Sequence, residues 1–82
     1  DGRAGRRADL HGKVLVGLNF DGMDLSGADL TMANLSRASL RGTKLICTDL
    51  RGANLSQADL KDADFRGAML DHAFGFLPAG SV

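Results

Sequence analysis

The chain has 82 residues and a mass of 8.6 kDa, which leaves room for one small domain. Hydrophobic residues make up 44% of it, which excludes a disordered composition. Lys+Arg and Asp+Glu balance at 10 each, so no whole-domain field draws the chain to nucleic acid or to an anionic membrane.

There is no Trp or Tyr, and there are four Phe and 11 Gly, so leucine and alanine must do the packing. A conventional globular core would be marginal at this length. The single cysteine, Cys47, excludes an intramolecular disulfide and suits a reducing compartment, so a cytoplasmic location is expected. No apolar run nears the roughly 20 residues that span a bilayer, and no signal-peptide pattern is present, so no membrane partner is expected. The chain opens on Asp1 rather than Met and reads as one domain of a longer, bacterial protein.

In chain order, residues 1–7 come first, with Arg3, Arg6 and Arg7, and are out of phase with the rest of the chain. They read as a flexible basic leader. From residue 8 to residue 73 the chain repeats every five residues. Thirteen consecutive fifth positions are Leu or Phe: Leu10, Leu15, Phe20, Leu25, Leu30, Leu35, Leu40, Leu45, Leu50, Leu55, Leu60, Phe65 and Leu70. Two places before each, small residues dominate, as at Ala28, Ala33, Thr43 and Ala53. One place before, Asp or Asn recurs, and two places after, Gly is frequent.

No regular element makes one apolar side from that spacing. On an α-helix five residues turn the face by about 500°, so successive leucines scatter around the cylinder. On a strand an odd spacing sends alternate leucines to opposite faces. The pattern closes only if the chain turns a corner once per repeat and returns each leucine to a common interior. Glycine after the leucine fits such corners, because tight turns need φ > 0.

The run from Ala8 to Ala73 resembles the pentapeptide-repeat family, whose motif is A(D/N)LXX. The resemblance implies an all-β fold, a right-handed quadrilateral β-helix with twenty residues per coil. The repeats then make slightly over three coils, about 16 Å long at ~4.8 Å per coil. Leu10, Leu30, Leu50 and Leu70 would line one interior corner, Leu15, Leu35 and Leu55 the second, Phe20, Leu40 and Leu60 the third, and Leu25, Leu45 and Phe65 the fourth. Asp and Asn are expected to accept bonds from nearby backbone N–H groups. In the first coil Lys13, Leu18 and Met23 replace the small residue, and the last two are bulky enough to widen or plug that end.

Residues 74–82 read as a C-terminal cap or tail. Phe74, Phe76 and Leu77 crowd together there, either as a cap over the solenoid end or as an interface for a partner or a second copy.

Catalytic chemistry is not apparent. His11 and His72 fall on one side about three coils apart, too far to share a metal whose ligand bonds are ~2 Å. Cys47 points outward with no phased His beside it. "RGTKL" has the wrong order for a phosphate loop. The Asn34-Leu35-Ser36 and Asn54-Leu55-Ser56 triplets arise from the repeat itself rather than as glycosylation signals. Asp9, Asp29 and Asp49 stack as a carboxylate ladder that needs relief by hydrogen bonds or cations. Arg41, Arg51, Lys61 and Arg66 stand beside such acids.

No enzyme, metal or cofactor is expected. The expected function is a structural or protein-interaction module, with homodimerisation through the C-terminal end and no direct contact with nucleic acid. The alternative that the family resemblance implies is a DNA mimic that inhibits or protects DNA gyrase. Neutral charge and short length weigh against it, because a phosphate-lattice mimic needs excess negative charge.

Overall fold

The structure, a computed structural model, describes residues 8–75. The basic leader expected at 1–7, and Phe76, Leu77 and the rest of the expected tail, lie outside the described residues.

One unit shows how the chain advances. Leu30, Thr31, Met32 and Ala33 form a turn, closed by the Ala33 N–H donating to the Leu30 carbonyl at 3.1 Å. The next residue, Asn34, lies outside the turn and pairs in parallel with Val14 before it and Asn54 after it. Turn and bridge then repeat from Leu35. Because four residues of five belong to the turn, a side has one residue left for pairing, and extended strands do not develop.

Every bridge joins residues twenty apart, so each coil takes twenty residues and has four bridged sides. The first side runs through Asp9, Asp29, Asp49 and Met69, and the second through Val14, Asn34, Asn54 and Phe74. The third runs through Asn19, Ser39 and Asp59, and the fourth through Asp24, Lys44 and Asp64. The pairing passes residue 73, the expected end of the repeat: the Phe74 N–H reaches the Ala53 carbonyl at 3.0 Å. Gly75 then stands in the next leucine slot with φ of +89°, and a Cβ there would run into the Ser56 backbone. A leucine cannot continue the column at that point.

The corners are turns whose third residue alone takes positive φ, the type II requirement. Glycine fills this place in seven corners. Met32, Arg37, Cys47, Gln57, Asp62 and His72 fill the other six, at φ of 57–63°. The coil thus imposes the left-handed conformation on side chains that avoid it when free.

Backbone accounting explains the Asp and Asn positions. In the Leu30 unit the Leu30 N–H donates to Asp49 O (2.8 Å) and the Met32 N–H to Arg51 O (3.0 Å), both in the next coil. The Asp29 N–H donates to Ala8 O in the coil before (2.9 Å), and the Ala33 N–H closes the turn. One donor of the five remains, the Thr31 N–H, and it goes to Asp29 Oδ1 at 3.0 Å. The same bond is made by Asp9, Asn19, Asp24, Asn34, Asp49, Asn54, Asp59 and Asp64. The short side chain therefore accepts the one N–H that the ladder leaves over.

Where Ser39 interrupts the pattern, the replacement comes from the coil before. Asp21 Oδ1 accepts both the Arg41 N–H, at 3.0 Å, and the Ser39 hydroxyl.

The interior is a leucine and alanine column. Leu30, Leu35, Leu40, Leu45, Leu50 and Leu55 are at most 1% exposed, and Ala28, Ala33, Ala38 and Ala53 fill the space between them. Each such leucine contributes about 1.5–3 kcal/mol of burial. Leu10, Leu15, Leu60, Phe65 and Leu70 are partly buried and pack against this core from its two ends. Thr43 and Thr48 take small-residue places with no exposure, and their hydroxyls donate to Phe20 O and Leu25 O at 2.8 and 2.9 Å. Leu18 and Met23, at 46% and 48% exposure, lie on the first coil's end rather than inside it.

Candidate functional site

With the interior filled by side chains, the outer columns are what the fold offers to a partner. Each side shows a bridging residue and the residue that follows its leucine, with a corner residue beyond.

The first side carries Asp9, Asp29, Asp49 and Met69 in its bridging column and His11, Thr31, Arg51 and Asp71 in the next. The carboxylate ladder is relieved in two ways. Arg51 grips Asp49 through two bonds, Nε–Oδ1 at 2.8 Å and Nη2–Oδ2 at 2.6 Å. Thr31 donates to Asp29 through both its N–H (3.0 Å) and its hydroxyl (2.6 Å). His11 Nδ1 lies 2.6 Å from that same Thr31 oxygen. Since the hydroxyl proton already serves Asp29, the imidazole must be the donor to Thr31. In that arrangement the imidazole and the carboxylate together hold the Thr31 hydroxyl in place.

The third and fourth sides repeat the pairing of acid with cation. Arg41 Nε meets Asp59 Oδ2 at 2.6 Å, and Arg66 Nη2 meets Asp64 Oδ2 at 2.7 Å. These are exposed pairs and contribute little on their own. They do match acid with base locally, so among the described residues no continuous anionic lattice forms of the kind a DNA mimic needs.

Five of these carboxyls are held below the ordinary aspartate range. The largest cause is a side-chain hydrogen bond in each case, from Ser26 to Asp24, Thr31 to Asp29, Arg51 to Asp49, Arg41 to Asp59 and Arg66 to Asp64. The fold therefore favours their ionised forms. That stability is fully present above the ordinary carboxylate pKa of about 3.9 and is lost as pH falls through the lower folded values. Urea midpoints are expected to stay level near neutrality and to drop steadily below about pH 5. An unchanged midpoint down to about pH 2 would contradict these bonds.

The second side differs. Its bridging column is Val14, Asn34, Asn54 and Phe74, and the next column is Val16, Ser36 and Ser56. None of these seven residues is charged. Asn34 and Asn54 bind their serines twice, through the N–H and through the hydroxyl. Arg37, in the corner column beyond, donates to Gln57 Oε1 at 3.0 Å. Val14, Val16 and Phe74 are 76%, 42% and 51% exposed. The sequence singled out Phe74 but not the two valines, which look like ordinary repeat variants until the twenty-residue register places them on one side with it.

Cys47 is an exposed free thiol whose sulfur stands over Gly67. His72 occupies a corner far from His11 along the stack. Among the described residues no group of three His, Cys, Asp or Glu side chains fits a metal ion, and no helix is long and apolar enough to cross a membrane.

The profile described as pentapeptide repeats, in 8 copies, matches residues 6–42 and 33–71. A pentapeptide-repeat protein from the Arabidopsis thaliana thylakoid lumen aligns at 36% identity and a TM-score of 0.75, over 77% of this chain and 43% of its own. HetL, a pentapeptide-repeat protein involved in heterocyst differentiation regulation in the cyanobacterium Nostoc sp. strain PCC 7120, aligns at 36% identity and a TM-score of 0.53. That match covers 92% of this chain and 36% of HetL. The chain thus spans less than half the length of either structure. No curated protein sequence matches it at a comparable level.

Proposed function

We propose, on the premise that this chain belongs to the pentapeptide-repeat family, that it is a non-catalytic protein-interaction module built as a right-handed four-sided coil. Its contact surface is the second side, and the partner is a second copy of the chain.

The observation that carries this reading is the absence of charge from both of that side's columns, between sides on which acids and cations alternate. Exposed apolar residues on an otherwise uncharged flat surface favour association. Val14 and Val16 stand at one end of the side and Phe74 at the other. Two copies laid antiparallel about a two-fold axis would set the valines of each against the phenylalanine of the other, with Asn and Ser facing Asn and Ser between them. Such an isologous contact needs no second patch. The side is only about 14 Å long at ~4.8 Å per coil, so the dimer is a weak one, below the roughly 1,200 Å² that stable interfaces bury.

Light scattering on the eluting peak, over a range of loading concentrations, tests this. The expected mass rises from monomer toward dimer with concentration and returns to monomer in the Val14→Asp, Phe74→Ser variant. A monomer at every concentration would overturn the self-association reading.

A further inference from the structure

One arginine differs from its neighbours in what holds it. Arg51 and Arg66 close on the aspartate two residues before them, and Arg41 closes on Asp59 in the next coil. Arg37 stands in a corner, where the residue two places before it is the buried Leu35, so its own unit supplies no carboxylate. Its Nε donates instead to a neutral amide, Gln57 Oε1, at 3.0 Å. The atom met there is the oxygen, because a guanidinium Nε only donates. Among the described residues no ion pair includes Arg37. The bond orders the guanidinium without neutralising it.

The pair has N–H groups left over, the two Nη groups of Arg37 and the Nε2 group of Gln57. The neighbouring side adds no acid to meet them. Asn34 Oδ1 and Asn54 Oδ1 each accept both the N–H and the hydroxyl of a serine, and neither column of that side holds a carboxylate. Gly17 takes the same corner one coil earlier and leaves it open, since a Cβ there would meet nothing within 4 Å. An ordered, uncompensated guanidinium with its parallel Nη edge free is suited to oxyanions.

The two-fold arrangement proposed above says which oxyanion. Its axis crosses the second side midway between the coils of Asn34 and Asn54, and so crosses this corner midway between Arg37 and Gln57. Each Arg37 then faces the Gln57 of the other copy, and the two guanidiniums flank the axis. Two like charges meet there with no acid beside them. A carboxylate brings one charge and a planar pair of oxygens, which serves one guanidinium. A tetrahedral dianion brings two charges and four oxygens, which serves both.

We propose that Arg37 and Gln57 form an oxyanion site, and that in the dimer, on whose reading this part rests, both copies share one free tetrahedral dianion, sulfate or hydrogen phosphate, across the axis. By linkage the anion strengthens self-association by the same factor as self-association strengthens anion binding.

Light scattering on the intact chain tests the sharing, in sodium sulfate and in sodium chloride at equal ionic strength. The concentration at which half the chain is dimeric is expected to fall at least about fivefold in sulfate. Gln57→Glu gives Arg37 an internal carboxylate, so the preference for sulfate should vanish, whereas a general strengthening of apolar contacts by sulfate would persist. Equal midpoints in the two salts, or the same fall in Gln57→Glu, would overturn the sharing. The site itself is read apart from the dimer, in the Val14→Asp, Phe74→Ser variant. There the Arg37 Nε–H and Gln57 Nε2 proton signals should shift saturably with sulfate and not with chloride. Shifts that grow linearly, or alike in both salts, would overturn the site whatever the oligomeric state. Saturable shifts in a chain that stays monomeric in both salts would overturn the self-association reading and the sharing, and would support the single-copy site.

Discussion

Replacing Leu40 by alanine is expected to lower the unfolding free energy by about 2–5 kcal/mol, toward the upper end of that range. Leu40 is fully buried in the third corner column, between Phe20 and Leu60. The cost of such a change depends on whether the surroundings can close over the lost volume. Here they cannot move far, because the corner is pinned on all sides. Its turn is closed by the Thr43 N–H on Leu40 O, and the Leu40 N–H is tied to Asp59 O in the next coil at 2.8 Å. Domain stabilities are of the order of 5–15 kcal/mol, so this one change removes a large share of the total. A urea titration reads it directly, with the slope unchanged if the coil stays two-state. Leu70→Ala, at the partly buried end of the first corner column, should cost markedly less. Equal losses at the two sites would mean that the interior is not a graded stack with a tight centre.

Enlarging the small-residue position should also be costly. Ala38→Leu is expected to destabilise by about 1–3 kcal/mol, as overpacked cores do. Ala38 is 1% exposed, and its column contains Leu18 in the coil before and Ala58 in the coil after. The same column therefore already accepts a leucine, but only at its open end, where Leu18 is 46% exposed. Position along the stack decides what fits. The matched control is Leu18→Ala, which removes a half-exposed side chain and should cost less than Ala38→Leu. If Ala38→Leu proved neutral, the tube would be wider than its alanine column implies.

Most of the architecture is legible in the five-residue period alone. Leu30 through Leu55 had to share an interior because no helix or flat strand brings every fifth residue to one side. The acceptor role of Asp and Asn followed from their short side chains, and the structure adds which donor they serve, the N–H two residues on. Other features were not legible. Met32, Arg37 and Gln57 adopt the glycine conformation because the stack imposes it, and their own preference gives no hint of that. Asp21 rescues the Ser39 unit from the neighbouring coil, a contact eighteen residues away that no local pattern encodes. Phe74 looked like the start of a tail because Gly75 breaks the leucine column, yet its backbone still pairs with Ala53 and Leu55.

The uncharged columns of the second side were hidden for a related reason. Read along the chain, Val14 is one exception among the Asp and Asn positions and Val16 is an ordinary filler. Folding the sequence at twenty residues brings Val14, Asn34, Asn54 and Phe74 into one line. A functional surface on a solenoid is a column, and columns are invisible until the length of the coil is known.

The core, the acceptor bonds and the proposed contact side all depend on the twenty-residue register. Nuclear Overhauser contacts between backbone protons test it most directly. The expected contacts link Asn34 to Val14 and Asn54, and Ser39 to Asn19 and Asp59, in parallel pairs twenty residues apart. Backbone contacts at any other constant separation, or in antiparallel pairs, would contradict it.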